Sequence, residues 1–242
     1  MFLASASDIG QKRSENQDRV VAEFLGDNIA VAAVCDGMGG AASGGVASQV
    51  AVDAFISRVK ENFRPDMNDN SIRNLLLNAV HYANTLVYEK SQEDLDKNGM
   101  GTTCVAALVR GKRIYLVNVG DSRAYLLNDS GINQITTDHT FVEMLYQTGQ
   151  ISEDEVKVHP MRNVITKAVG VEADVEVDYF ELEESGNFAV LLCSDGLSGY
   201  CSEEIIYTTV YGNNLDEAVH KLIDISNECG GKDNISAAII AN

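Results

Sequence analysis

No apolar run in this chain of 242 residues approaches the ~20 residues that would cross a bilayer, so no membrane-spanning helix is expected. The N-terminus lacks a basic stretch followed by an apolar one, and no signal peptide is expected either. No Cys-x-x-Cys pair occurs. The cysteines number five, Cys35, Cys104, Cys193, Cys201 and Cys229. That is an odd count, and the first three lie inside apolar runs. Buried thiols in a reducing compartment are therefore expected, rather than a zinc site or a disulfide framework, and the expected address is the cytoplasm. Basic residues are scarce: 18 Lys and Arg against 36 Asp and Glu leave a net charge of −18. A field of that sign discourages nucleic acid and anionic membrane as partners. It also disfavours a phosphorylated substrate unless local cations reverse the sign. Internal repeats and low-complexity linkers are absent.

What is present is a 45% hydrophobic composition, enough for a sizeable core, and three short stretches that share one chemistry. They are Asp36-Gly37-Met38-Gly39-Gly40, Ser194-Asp195-Gly196 and Gly231-Lys232-Asp233-Asn234. The first two follow apolar, β-rich runs at 29–35 and 188–193; the third precedes one at 235–240. A buried strand fixes where its end points, so each carboxylate is held at the rim of a core. Several carboxylates meeting there repel one another unless cations lie between them. Hard oxygen ligands suit Mg²⁺ or Mn²⁺.

The hydrophobic periodicity predicts strands over 20–25 and 29–34, joined by a turn at Gly26-Asp27-Asn28. Helices follow over 43–63 and from Ser71, as N-cap, to about residue 90. Strand patterns at 102–109, 113–119 and 123–127 are linked too tightly for crossover helices, which predicts an antiparallel meander. From 137 to 170 the pattern weakens, with short helices expected at 141–148 and 152–156; a stretch of that length is usually functional. Strands over 174–182 and 188–193, a helix over 215–229 and a last strand over 235–241 complete the chain. The expected fold class is α+β, a sandwich with helices covering sheet faces.

In this order the motifs resemble the metal-dependent type 2C serine/threonine protein phosphatases, in particular the short bacterial members. Arg13 to Asp18 reads R-x-x-N-Q-D, and Asp36 to Gly40 reads D-G-M-G-G. Gly101-Thr102-Thr103, Gly120-Asp121-Ser122-Arg123 and Asp138-His139 follow, then the run from Asn163 to Gly170, Ser194-Asp195-Gly196-Leu197 and Gly231-Lys232-Asp233-Asn234. The resemblance implies a four-layer αββα sandwich, two antiparallel sheets flanked by helices, as a single catalytic domain over 1–242 with a flap at about 141–166. It implies hydrolysis of phosphoserine and phosphothreonine in proteins by a water activated at two Mn²⁺ or Mg²⁺ ions. The partners it implies are phosphorylated proteins and a cognate serine/threonine kinase, with the enzyme acting as a monomer.

By the same resemblance Asp36 bridges both ions, the Gly37 carbonyl binds one, and Asp195 and Asp233 hold the other. Asp18 reaches the pair through water, and Asp121 holds a third, weaker ion together with Asp195. The alternative for Asp121 is a turn aspartate paired with Arg123. Arg13 is expected to clamp the phosphate, because a guanidinium fork matches two phosphoryl oxygens. Asn234 either contacts the water or substrate or caps the last strand. Animal members carry histidine where this chain has Met38, and methionine has no proton to give. A water on one of the ions, or second His159, is then the candidate acid. A rival pattern, Gly37-x-Gly39-x-x-Ala42, fits a dinucleotide fingerprint. It is opposed by Asp36, whose charge would face a pyrophosphate, and by the lack of a later acidic strand end. A second rival, a non-catalytic member that kept only the fold, is opposed by retention of all the metal aspartates.

Overall fold

The computed structural model describes residues 1–39, 43–93 and 99–242. Gly40 of the glycine motif and Ala41 and Ala42 of the dinucleotide pattern therefore lie outside the described residues. Two antiparallel sheets stack face to face. One has the order β1 (Phe2–Asp8), β11 (Ile235–Ala241), β10 (Phe188–Cys193), β7 (Arg123–Asn128) and β8 (Gly131–Gln134). The other has β2 (Asp18–Gly26), β3 (Ile29–Met38), β5 (Cys104–Arg110), β6 (Arg113–Val119) and β9 (Asp178–Glu183), with the short β4 (Gly101–Thr102) paired to the end of β3.

Alternation along each strand explains the layering, since successive side chains point to opposite faces. On β3, Val31, Ala33 and Cys35 face α1 (Ser43–Asn62) and α2 (Asp69–Gln92), while Ala30, Ala32 and Val34 face the other sheet. On β10, Ala189, Leu191 and Cys193 pack toward α6 (Glu203–Val210) and α7 (Leu215–Glu228), and Phe188, Val190 and Leu192 point inward. Residues 29–35 of β3 and all of β10 are apolar because both of their faces are covered there. The result is helix, sheet, sheet, helix.

Several expectations shift. The meander stops after β6: β5 and β6 form a hairpin, but β7 pairs with β10 and β8 in the opposite sheet. Gly120 and Asp121 carry the chain across the sandwich, so that Ile114 and Leu116 meet Ala124 and Leu126 in the inter-sheet layer. Asn68, not Ser71, caps α2; its side chain accepts the Ser71 N–H at 2.9 Å. The strand expected over 174–182 begins only at Asp178. β1, β8 and α6 had no counterpart in the periodicity. Residues 141–166 carry α3 (Phe141–Gln147) and α4 (Glu153–Val158), and an isolated Thr140–Ile165 bridge closes their base.

Candidate metal centre

The inter-sheet layer is apolar for most of its length and turns polar at one end. Counting by twos along the strands, Ala30, Ala32 and Val34 lead to Asp36; Ala22 and Val20 lead to Asp18. Likewise Val190 and Leu192 lead to Ser194, and Ile240 and Ala238 to Ser236. Asp18 and Asp36 stand directly opposite each other across β2 and β3. The carboxylates thus extend rows that elsewhere form the core.

Each is fixed by its local chain. Asp36 donates its N–H to Thr103 Oγ1 at 2.9 Å, and its carbonyl accepts from Thr103 N and Thr102 Oγ1, also at 2.9 Å. Asp18 is 1% exposed, and its Oδ2 accepts from Ser194 Oγ at 2.7 Å. Ser194 in turn accepts from the Ser236 N–H at 3.0 Å. Asp195 opens the single-turn α5 (Asp195–Ser198) directly after β10. Glycine follows it because a Cβ on Gly196 would lie 1.9 Å from the Asn234 carbonyl oxygen. At Gly37 a Cβ would lie 2.1 Å from the Gly44 carbonyl oxygen. The Asp-Gly pairs are therefore demanded by close backbone approach.

Asp36, Gly37, Asp121, Asp195, Asp233 and Arg13 line one cleft of about 270 Å³. Asp18 lies beneath its floor. The cleft joins five of the six expected metal-binding positions, drawn from four separate stretches of chain, to the expected phosphate clamp. Asp121 is not the partner of Arg123: that guanidinium holds Asp138 through Nε at 2.9 Å and Nη2 at 2.7 Å. Asp121 is left facing the cleft. Asn163 and Ile165, from the 141–166 insert, also line it.

Burial and mutual repulsion set the electrostatics. Asp36 is pushed well above the usual carboxylate range by burial first, then by Asp18, Asp195 and Asp121. Burial, then Asp195, raises Asp121 to about 7. Burial outweighs the hydroxyl bonds on Asp18 and takes it to about 6. Asp195 is raised by burial and then by Asp233. Asp18 Oδ1 and Asp195 Oδ1 are buried without any hydrogen-bond partner. Among the described residues no three His, Cys, Asp or Glu side chains form a closed cage as they stand. Arg13 Nη2 holds Asp233 Oδ2 at 2.7 Å. An all-oxygen donor set with orphaned buried oxygens fits hard divalent cations.

Two sequence expectations change. Arg13 is tied to Asp233, which raises its pKa above the ordinary guanidinium value, so the expected clamp and one expected ligand are paired with each other. The Asn234 side chain is committed to backbone. Its Oδ1 accepts the Gln17 N–H, and its Nδ2 donates to the carbonyls of Ile9 and Glu15, all within 2.8–3.0 Å. No histidine lines the cleft among the described residues; His159 packs near Phe141 with ring centroids 6.4 Å apart. His139 takes the Gly120 N–H on Nδ1 at 3.1 Å and anchors the start of the insert. The sequence reading missed the hydroxyls Ser194, Ser236, Thr103 and Ser122, the last lying 2.7 Å from Thr103 Oγ1. The signal for them was the inward phase of the strands beside them.

Fold and site together define a class: a two-sheet sandwich whose inner layer ends in a carboxylate cleft suited to divalent ions. The family profile described as Protein phosphatase 2C matches residues 9–238. The chain is 36% identical over 241 residues to the serine/threonine phosphatase stp of Listeria monocytogenes, covering 99% of this chain and 95% of that protein. Its structure is similar to that of Stp1 from Staphylococcus aureus, with TM-score 0.91, 36% identity, and 99% and 94% of the two chains covered. It is also similar to the catalytic domain of PstP in complex with two manganese ions, with TM-score 0.86, 35% identity, and 100% and 97% covered. The chain belongs to the protein phosphatase 2C family.

Proposed function

We propose that this protein hydrolyses phosphoserine and phosphothreonine in phosphoproteins, using two divalent cations, Mn²⁺ or Mg²⁺. When bound, such a pair supplies an activated water and neutralises the phosphoryl oxygens. Asp36, the Gly37 carbonyl, Asp195 and Asp233 would hold the pair. Asp121, with Asp195, would hold a third and weaker ion. Asp18 props the back of Asp36 and adds charge from below the floor. Arg13 swings from Asp233 Oδ2 to the incoming phosphate, two of whose oxygens its fork can match. Met38 lines the cleft but carries no proton, so solvent in the cleft protonates the leaving alkoxide. Residues 141–166 form a flap that contributes Asn163 and Ile165 and tunes substrate access. The protein acts as a monomer in the cytoplasm and opposes a serine/threonine kinase.

The observation that carries this reading is the convergence of Asp36, Asp121, Asp195 and Asp233 with Arg13 in one cleft. The test is release of nitrophenol from nitrophenyl phosphate, and of phosphate from a phosphothreonine peptide, with Mn²⁺ and after chelation. Turnover of both that disappears with the metal supports the reading. Metal-independent turnover, or none, contradicts it.

A further inference from the structure

Asp36 and Asp121 reach the cleft from different stretches of chain. Asp36 lies near the end of β3, and Asp121 in the crossing between β6 and β7. One buried side chain touches both stretches. It is Thr103, fully buried in the one-residue gap between β4 and β5.

At that gap the sheet departs from a regular ladder. β3 pairs with β5 as far as Val34 and Val105, and with β4 from Gly37 and Thr102 onward. Facing residues in the bonded positions of an antiparallel pair exchange two backbone hydrogen bonds. Here only one is made between backbones: the Thr103 N–H donates to the Asp36 carbonyl at 2.9 Å. The Asp36 N–H donates instead to the hydroxyl Thr103 Oγ1, at 2.9 Å. The Thr103 carbonyl is left to accept from Thr102 Oγ1 at 3.0 Å. A side-chain hydroxyl has therefore replaced a carbonyl as the acceptor beside Asp36.

The same hydroxyl serves the other stretch. Thr103 Oγ1 lies 2.7 Å from Ser122 Oγ, and Ser122 is fully buried too. On the other side of Asp121, the Thr103 methyl packs against Gly120. A Cβ there would lie 2.5 Å from Thr103 Cγ2, and Gly120 holds φ +105°. The two residues that flank Asp121 thus both rest on Thr103. A backbone N–H buried without its acceptor is costly, so this junction has one low-energy arrangement.

We propose that Thr103 is a positioning residue. Its hydroxyl, shared between the Asp36 N–H and Ser122 Oγ, fixes the stretch that carries Asp36 against the stretch that carries Asp121. The ion pair and the third ion are thereby held in one frame. This rests on the phosphatase reading. Metal sites work only when their ligands are held within about 0.5 Å of the productive geometry, and buried hydrogen bonds behind the ligands supply that precision.

The test compares T103V, which keeps the shape and removes the hydroxyl, with T103S, which keeps the hydroxyl, and with S122A and T103V/S122A. Calorimetric titration of the metal-free proteins with Mn²⁺ separates the tight pair from the weaker ion. T103V should bind the pair about tenfold to a hundredfold more weakly, the usual cost of losing a group behind a metal ligand. At saturating Mn²⁺ its kcat on nitrophenyl phosphate, per folded molecule, should fall on the same scale. Its KM should stay native, because Arg13 belongs to another loop. T103S should match the native protein in both. S122A should weaken the third ion about tenfold. T103V/S122A should weaken that ion no further than T103V alone, since both changes cut one link. A T103V protein that melts lower yet binds Mn²⁺ and turns over natively overturns the proposal. So does equal damage in T103S, or losses at the third ion that add. Should T103V fail to fold, S122A decides: native Mn²⁺ uptake at every site overturns the link, and selective loss of the weaker ion supports it. A native protein that neither takes up Mn²⁺ nor hydrolyses nitrophenyl phosphate overturns the phosphatase reading, and the positioning role with it.

Discussion

The two ends of the inter-sheet layer are built from the same strands and closed in opposite ways. At one end the inward rows finish in Asp18, Asp36, Thr103, Ser194 and Ser236 around a cleft of about 270 Å³. At the other, Leu3, Phe188 and Ala241 border a larger hollow of about 670 Å³ with Phe2, Phe24 and Tyr211 around it. Size does not mark the chemistry. The larger hollow is mostly apolar in surface, with Asp129, Asn187, Asn213, Asn214, Asp216 and Asn242 spread along its lining. The smaller one holds carboxylates whose burial raises Asp18 and Asp121 to about 6 and 7. The apolar end contributes stability through burial. The polar end withholds it, since like charges there are desolvated together. Regions of that kind mark a functional site.

The comparison breaks most sharply at Asp36. Asp36→Asn is expected to lower phosphatase turnover by about a thousandfold, since several kcal/mol of charge stabilisation go with the ligand. It should also raise the melting temperature of the metal-free protein near pH 8, because a desolvated charge is removed. Kinetics and a thermal melt on one preparation check both. A variant that melts lower and stays active would place Asp36 in the core rather than the site. At the opposite end, Phe188→Ala should do the reverse. Phe188 is 2% exposed; its loss should cost about 3–5 kcal/mol in a denaturant titration, with kcat per folded molecule unchanged.

Acidity sharpens the contrast. Carboxyls whose folded pKa lies above the unfolded value bind more protons when folded. Metal-free stability should therefore be fullest below about pH 4, the unfolded range. It should fall as pH rises through about 6 and 7, the folded values of Asp18 and Asp121. Saturating Mn²⁺ should remove that fall. Melting curves from pH 4 to 8, with and without Mn²⁺, are the check, and a metal-free protein that gains stability over that range contradicts it. The smallest expected effect is at Arg13. Arg13→Ala should raise KM for a phosphopeptide about tenfold, the scale of lost hydrogen bonds to a charged group. Mn²⁺ affinity should not weaken, because Asp233 Oδ2 is then released from its 2.7 Å contact. Calorimetry beside kinetics separates the two, and a parallel loss of Mn²⁺ binding contradicts it.

Elements that bury both faces were legible in the sequence. The runs at 188–193 and 235–241 match β10 and β11 because nothing polar apart from Ser236 interrupts them. β1 escaped because small Ala and Ser residues carry its alternation. α6 escaped because eight residues give too few turns for a period to show. The crossing after β6 could not be read, since a tight Gly-Asp link is equally compatible with a hairpin; which sheet receives β7 is decided by packing. The acidic residues of the site stood out because an aspartate ending an apolar run is costly without a purpose. Ser194 and Ser236 did not, being ordinary residues until the strands align them behind Asp18. Nor did the Arg13–Asp233 pair, whose partners are 220 residues apart.

The most direct measurement is a crystal structure of the protein grown with Mn²⁺ and inspected for anomalous scattering. Two strong peaks in the cleft are predicted, both within bonding reach of Asp36, with Asp195 and Asp233 drawn in around one of them. A cleft without peaks at saturating Mn²⁺, or manganese bound only elsewhere, would contradict the claim that this end of the sandwich exists to hold paired cations.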